Sequence, residues 1–329
     1  MKTLVVGGAG YIGSVVTRLL LQAEHEVLVL DNCSTGHADA VPDGVQLIQQ
    51  DITEADAVLD GADFDAVLHF AAKSLVGESV ERPSLYWHTN VVGTRALLDA
   101  ITRHGVPRLV FSSTAAVYGE PAEMPITEDT PTRPTNTYGA TKLAVDMMIT
   151  NECVATQLGA VSLRYFNVAG AALGAGERHL IETHLIPLAL EAVSGHRDKL
   201  TIYGDDWPTP DGTPIRDYVH VLDLARAHVL ALDAAESGSH LICNLGNGDG
   251  FSVRDVITTI EQVTGLPLPV TVGPRRVGDP KSLVASAERA RHALGWQPEF
   301  DLHRMVSDAW QFATNRPGPS AAADGTTST

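Results

Sequence analysis

Short apolar runs rich in β-branched residues recur through the first half of the chain, separated by stretches with apolar residues every three or four positions. "KTLVVGG", "HEVLVLDN", "VQLIQQD", "DAVLHFAA" and "RLVFSST" read as strands, with helices predicted at Tyr11 to Gln22 and Val91 to Arg103. "AVSLRYFNV", near residue 165, reads as one more strand of the same set. Alternating strands and helices predict an α/β fold, a doubly wound parallel sheet covered on both faces. After Gly170 the rhythm changes. A Gly- and Ala-rich loop leads to an amphipathic helix at Ile181 to Ser194, then to the turn-rich "LTIYGDDWPTPDGTPIRDYVHVLD". Helices at Val253 to Thr264 and Ala287 to Leu294 flank a Pro-rich segment. The pattern divides the chain into a first domain over 1–170, with some later segments returning to it, and a smaller α/β domain over 171–312. Residues 313–329 read as a tail with almost nothing to bury.

Composition narrows the class. A chain of 329 residues with 44% hydrophobic and 19% charged residues suits one large or two joined soluble domains. The net charge of −17 argues against nucleic acid or an anionic membrane as partner. No apolar run approaches the ~18 residues of a membrane span, and the first residues lack the regions of a signal peptide. Cys33, Cys153 and Cys243 are widely spaced and form no metal-ligand pattern, so no metal is expected and a reducing cytoplasm is.

The chemistry begins at "VVGGAGYIG". Gly7, Gly10 and Gly13 fall at a strand-to-helix turn, where glycines let backbone N–H groups approach a pyrophosphate. The second strand ends in Asp31, an acid suited to ribose hydroxyls, with no adjacent arginine for a 2′-phosphate. NAD is the cofactor this favours. Asp51 and Ile52, after the third strand, read either as adenine contacts or, for Asp51, as a helix cap. "HFAA" closes the fourth strand with small residues at Ala71 and Ala72 after Phe70, and His69 reads as a core histidine.

Ser112, Ser113 and Thr114 end the next strand at the carboxyl edge of the sheet, where open α/β folds bind ligands. Tyr138 and Lys142 follow at i and i+4, on one helix face with Cβ atoms about 6 Å apart. A unit charge at ~6 Å and effective dielectric ~20 is worth roughly 3 kcal/mol, or about two pKa units. Starting from ~10, that brings the phenol only part of the way to neutrality. A bound nicotinamide cation is expected to lower it further.

Together with "HFAAKSLVGESV", "NVVGT", "YGATK", "LRYFNVAGA" and "YGDDWPTPDGTPIRDYVHVLDLA", these motifs resemble the extended short-chain dehydrogenase/reductases. Within them the chain is most similar to the UDP-glucose (UDP-galactose) 4-epimerase family, over roughly Lys2 to Trp310. The resemblance implies a Rossmann NAD domain, tightly bound NAD and a UDP-sugar substrate. It implies that Tyr138 takes the proton of the sugar 4-hydroxyl, with Thr114 hydrogen-bonded to the same oxygen, through a transient 4-keto sugar. Cofactor contacts are implied for Gly7, Gly10, Tyr11, Ile12, Gly13, Asp31, Asn32, Asp51, Ile52, Phe70, Ala71, Ala72, Asn90, Ser112, Tyr138, Lys142 and Phe166. Substrate contacts are implied for Thr114, Tyr138, Asn167, His184, Leu185, Tyr203, Arg216, Arg276 and Asp279, the arginines and Asp279 around the UDP phosphates and ribose. A homodimer is implied, packed through the Tyr–Lys helix and the helix from Leu97.

Three positions depart from many relatives. Thr183 and His184 stand where adjacent asparagines are common, Lys73 falls one position early, and Leu283 replaces either a bulky Tyr or a small residue near the sugar 2-substituent. Arg216 also reads as a surface partner of Asp217. A 4,6-dehydratase is disfavoured, because Ala115 and Ala116 occupy the positions of its extra acid and base. A 4-epimerase of another UDP sugar stays open, whereas intact Thr114, Tyr138 and Lys142 argue against a non-catalytic NAD-binding regulator, which would not need them.

Overall fold

The computed structural model describes residues 1–276 and 279–315. Six strands in chain order, β1 (Lys2–Val6), β2 (Glu26–Leu30), β3 (Gln46–Ile48), β4 (Ala66–His69), β5 (Arg108–Thr114) and β6 (Gly159–Tyr165), are joined by the strand His240–Leu245. All pair in parallel, and the spatial order is β3-β2-β1-β4-β5-β6 with His240–Leu245 at the far edge. The order reverses between β1 and β4, which opens a crevice at their carboxyl ends. The expected doubly wound sheet is thus present, with an apolar cluster on each face. Val5, Val16, Leu68 and Val110 lie on one side, and Leu4, Val67, Leu97 and Leu109 on the other.

Three later elements return to this sheet, His240–Leu245 as a strand, and Val221–Ala234 and Glu288–Leu294 as helices packed in the first cluster through Leu224, Ala227 and Leu232 and through Ala290 and Leu294. Short pairs organise the remaining chain. Asn167–Ala169 runs parallel to Tyr218–His220, and Leu200–Tyr203 parallel to Val270–Gly273. Ile215–Arg216 lies between Phe251–Ser252 and Ser282–Leu283. A third apolar cluster, including Ile186, Leu190, Tyr218, Ile260 and Met305, sits beneath them.

The element bounds match the periodicity closely at Tyr11–Gln22 (α1), Arg108–Thr114 and Val253–Thr264. Three expectations need correction. The helix placed at Ile181 to Ser194 runs only over Leu185–Val193. Pro187 has no N–H and belongs in a first turn, while the Glu182 carboxylate accepts the N–H groups of Thr183 and His184 at 2.7 Å each and holds the preceding segment extended. The helix placed from Val91 is regular only over Gly93–Arg103, because Trp87–Val92 is a wider π-helical stretch. The tail does not begin at 313: the helix Leu302–Asn315 includes its first three residues, and 316–329 lie outside the described residues. That helix and Val221–Ala234 were not anticipated. No helix among the described residues is long and apolar enough to cross a membrane.

Candidate active site

A cavity of about 500 Å3 occupies the crevice beyond β1 and β4 and extends across to Arg216 and Asp279. Its floor is the β1–α1 turn. Gly7 has φ +87°, and a Cβ there would fall 2.4 Å from the Ala71 backbone nitrogen. A Cβ on Gly13 would fall 2.3 Å from the Gly7 carbonyl oxygen. Glycine at both positions therefore lets the turn press against the β4 exit and lets α1 press against the turn. Gly10 caps α1 without a side-chain acceptor, and the first turn carries no acidic residue. Those N–H groups and the positive end of the helix dipole suit a pyrophosphate. Asp31 is oriented by the N–H groups of Ala9 and Cys33, at 2.9 and 2.8 Å. Asp51 lines the cavity and also caps the turn at Thr53, so both of its expected roles coexist geometrically. Asn32, Ile52, Phe70, Ala71, Ala72, Tyr11 and Ile12 complete this wall.

Above it stand Tyr138, Lys142, Thr114 and Ser112. Asn136 caps their helix, Thr137–Thr156, by accepting from the Gly139 N–H at 2.9 Å, so the first turn begins where β5 ends. Burial raises the Tyr138 phenol above its ordinary pKa, outweighing the lowering effect of the Thr114 hydroxyl. Lys142 does not counter this rise. Its ammonium donates to the Ser112 carbonyl at 2.7 Å and lies 4.7 Å over the Phe111 ring. With the side chain almost wholly buried, its pKa falls to about 7, against a raising contribution from Asp146. Helix spacing alone therefore overstates the lysine's effect in the protein by itself, because the same low dielectric disfavours both charged forms. His69 is the core histidine expected: it is buried, bonded to Thr94 at 2.8 Å, and held neutral by burial and by Lys142, at about 3.

On the far side Arg216 pairs with Asp279, beside Asn167, Phe166, Leu283 and His184. Asp217 is no surface partner of Arg216. It is fully buried and accepts the N–H groups of Asn247, Gly248 and Ala285 at 2.7, 3.0 and 2.9 Å, fixing the segments behind the arginine. Four expected residues do not line the cavity. Asn90 lies behind it, clamping both backbone groups of Lys73 and bonding Thr141 at 3.1 Å. Leu185 opens its helix below, and the Arg276 guanidinium stacks 3.9 Å over the Tyr203 ring outside the lining. Glu177 and His179, which the motifs did not single out, line the cavity next to His184. Their Glu-x-His spacing recurs at Glu182 and His184, the one sequence signal that marks them.

The model of the NAD dependent epimerase/dehydratase family matches residues 3–246. A relative from Corynebacterium glutamicum named UDP-glucose 4-epimerase is 57% identical, over 95% of this chain and 96% of its own. The UDP-glucose 4-epimerase from Brucella ovis in complex with NAD superposes with a TM-score of 0.90 at 44% identity, covering 94% of this chain and 97% of that one. The enzyme from Bifidobacterium longum in complex with NAD+ and UDP gives 0.90 at 36% identity, covering 95% and 98%. With the sheet order and the glycine turn already in place, these matches decide the classification: the chain belongs to the NAD-dependent epimerase/dehydratase family.

Proposed function

We propose that the protein interconverts UDP-galactose and UDP-glucose by epimerisation at C4, using tightly bound NAD. The observation that carries this reading is one continuous cavity with the glycine turn at one end, Tyr138 and Thr114 in the middle and Arg216 with Asp279 at the other. Its residues fit the cofactor: Gly7 and Gly13 leave a cradle that a Cβ would fill, and Asp31 is pre-oriented at the end of β2. When bound, NAD would supply the hydride acceptor for C4, and the 4-keto sugar would turn over in the cavity so that the hydride returns to its opposite face. Tyr138 Oη removes the proton of the 4-hydroxyl and gives it back. Thr114, whose hydroxyl already acts on the phenol, would hydrogen-bond the same sugar oxygen. Lys142, anchored on Ser112, positions its charge beside the base. Arg216 leaves Asp279 to hold the diphosphate, Asn167 borders the sugar and Phe166 the cofactor.

Residues 1–170, with 221–245 and 288–294 returning, form the cofactor unit in this reading, and most of the remainder forms the substrate unit. A cytoplasmic homodimer goes with it. Met147 and Val154 on the Tyr–Lys helix and Val92 beside its neighbour are 61%, 72% and 51% exposed, an apolar face that a second copy would cover. Light scattering of Met147→Glu against the parent tests that part. The activity itself is tested by incubating purified protein with UDP-galactose and no added NAD. UDP-glucose must accumulate to an equilibrium mixture, and its absence from protein that contains NAD refutes the reading.

A further inference from the structure

Four donor groups converge at the rim of the cavity, in the segment between Gly176 and the helix Leu185–Val193. Glu177, His179, Glu182 and His184 each offer one ligand atom, and all these atoms lie within 4.8 Å of one another. It is the one such group among the described residues. His184 Nδ1 lies 2.8 Å from Glu177 Oε1 and equally 2.8 Å from Glu182 Oε1. His179 Nδ1 lies 2.9 Å from Glu177 Oε1 and 3.7 Å from Glu182 Oε2.

Two features separate this group from a set of ordinary ion pairs. His184 Nδ1 hydrogen-bonds Glu182 Oε1 at 2.8 Å and lies equally close to Glu177 Oε1, so one ring nitrogen is shared by two carboxylates. His179 Nδ1 is buried and makes no well-directed hydrogen bond despite its short separation from a carboxylate. Both Nδ1 atoms thus face the same two carboxylates. Zinc bonded to nitrogen or oxygen at about 2.0–2.1 Å needs tetrahedral edges of roughly 3.3–3.4 Å. The four imidazole–carboxylate separations, 2.8 to 3.7 Å, bracket that edge, Glu182 turning Oε1 to one histidine and Oε2 to the other. The outer contacts suit a site as well. Glu182 is fixed by two backbone N–H groups at 2.7 Å, an arrangement that orients metal-binding carboxylates.

We propose that Glu177, His179, Glu182 and His184 form a tetrahedral binding site for a divalent transition-metal ion, zinc by preference. Two imidazoles with two carboxylates suit zinc and exclude magnesium, which requires octahedral oxygen donors. Four protein ligands close the coordination sphere, so the ion is structural. It staples a segment that lacks helix or strand and whose tip exposes Leu180 and Ile181. Ligation through Nδ1 also fixes the His184 tautomer with the proton on Nε2, a donor available where His184 borders the cavity. The absence of a cysteine pattern concealed this site, because its ligands are spaced Glu-x-His-x-x-Glu-x-His.

In the metal-free protein the same groups neutralise one another. Burial alone would lower His184, but Glu177 and Glu182 raise it to about 10, and the same carboxylates raise His179 to about 9. Metal binding must displace these protons, so the titration belongs at pH 8 or above. Full-length, tag-free protein is stripped with EDTA, dialysed, and loaded with equimolar Zn2+ or Co2+, with Mg2+ as a control. Metal content after gel filtration should approach about one ion per chain for zinc and cobalt and none for magnesium. The cobalt form should show the intense visible bands of tetrahedral coordination. His179→Gln and Glu182→Gln should each weaken zinc binding by more than the roughly 10–100-fold that loss of an outer contact costs. Failure of the parent to retain zinc, the weak spectrum of octahedral cobalt, or equal retention by the folded double variant overturns the proposal. If neither variant folds, the cobalt spectrum of the parent decides alone.

Discussion

Lys142 gives the sharpest test of the electrostatics, because its burial should make the stability of the cofactor-free protein depend on pH in a calculable way. The side chain is 3% exposed, and its pKa drops from 10.5 to about 7. Between those values the native chain has released a proton that the unfolded chain still binds, so stability rises with pH. Each unit is worth ~1.4 kcal/mol. The full difference from 10.5 to about 7 then corresponds to about 5 kcal/mol, present as a penalty below pH 7 and gone above the unfolded value. Lys142→Met removes this term while keeping the length of the side chain. Urea unfolding of cofactor-stripped parent and variant at pH 7, 8 and 9 gives the difference in stability directly. The parent should gain about 2–3 kcal/mol on the variant between pH 7 and 9. The lost bond to the Ser112 carbonyl offsets all three points equally and leaves the slope untouched. Parallel curves for the two proteins would show that Lys142 is solvated or fully paired, and the reasoning would fail.

Other perturbations probe separate parts. Tyr138→Phe should retain NAD and lower turnover of UDP-galactose by ~10²–10⁴, the range of a general acid–base contribution; chromatographic assay with near-parental turnover would remove Tyr138 from the chemistry. Gly7→Ala should lose NAD on gel filtration and unfold at lower temperature, since its Cβ would meet Ala71 at 2.4 Å and its φ is +87°. Arg164 and Asp146 form a buried ion pair at 2.9 Å, both side chains being nearly inaccessible. Arg164→Met strands the carboxylate and should cost about 3–5 kcal/mol in denaturant unfolding, with Asp146→Leu added to it recovering part of the loss.

The sequence was most legible where local chemistry and tertiary packing agree. Val253–Thr264 is bounded by a Ser252–Asp255 capping box and by Gly265 in the left-handed region, both local signals. The glycine turn was equally readable, since its spacing reports close backbone approaches that no other residue permits. Legibility failed where side chains act at a distance. Leu180 and Ile181 continue the apolar period of the next helix, but the Glu182 carboxylate captures the backbone and delays the helix to Leu185. Val221–Ala234 carries Leu222, Val229 and Leu230 on its less buried face beside Arg226 and Asp233, so its outer side is too apolar to mark the period. Arg216 and Asp217 are neighbours in sequence, yet one reaches Asp279 and the other is sealed beneath three backbone N–H groups. Alternation along a strand sends adjacent side chains to opposite faces, so adjacency predicted the wrong partner.

The same distinction explains why a Tyr–Lys spacing is a necessary feature and not a sufficient one. On an exposed helix the two groups would interact weakly through water, and the tyrosine would stay near its ordinary pKa. Burial raises the phenol and lowers the ammonium, each in the direction opposite to that needed, and neither shift carries a contribution from the other group. The cavity must therefore contribute positive charge beyond what the lysine supplies before Tyr138 becomes a base near neutral pH. The glycine turn, Asp31 and the small residues of β4 border the same cavity as Tyr138. The cationic nicotinamide ring of a dinucleotide held there would bring that charge, which makes cofactor retention a condition for proton transfer as well as for the redox step. An enzyme that keeps its cofactor through every turnover meets that condition continuously, and tight binding and a buried base are then two consequences of one arrangement.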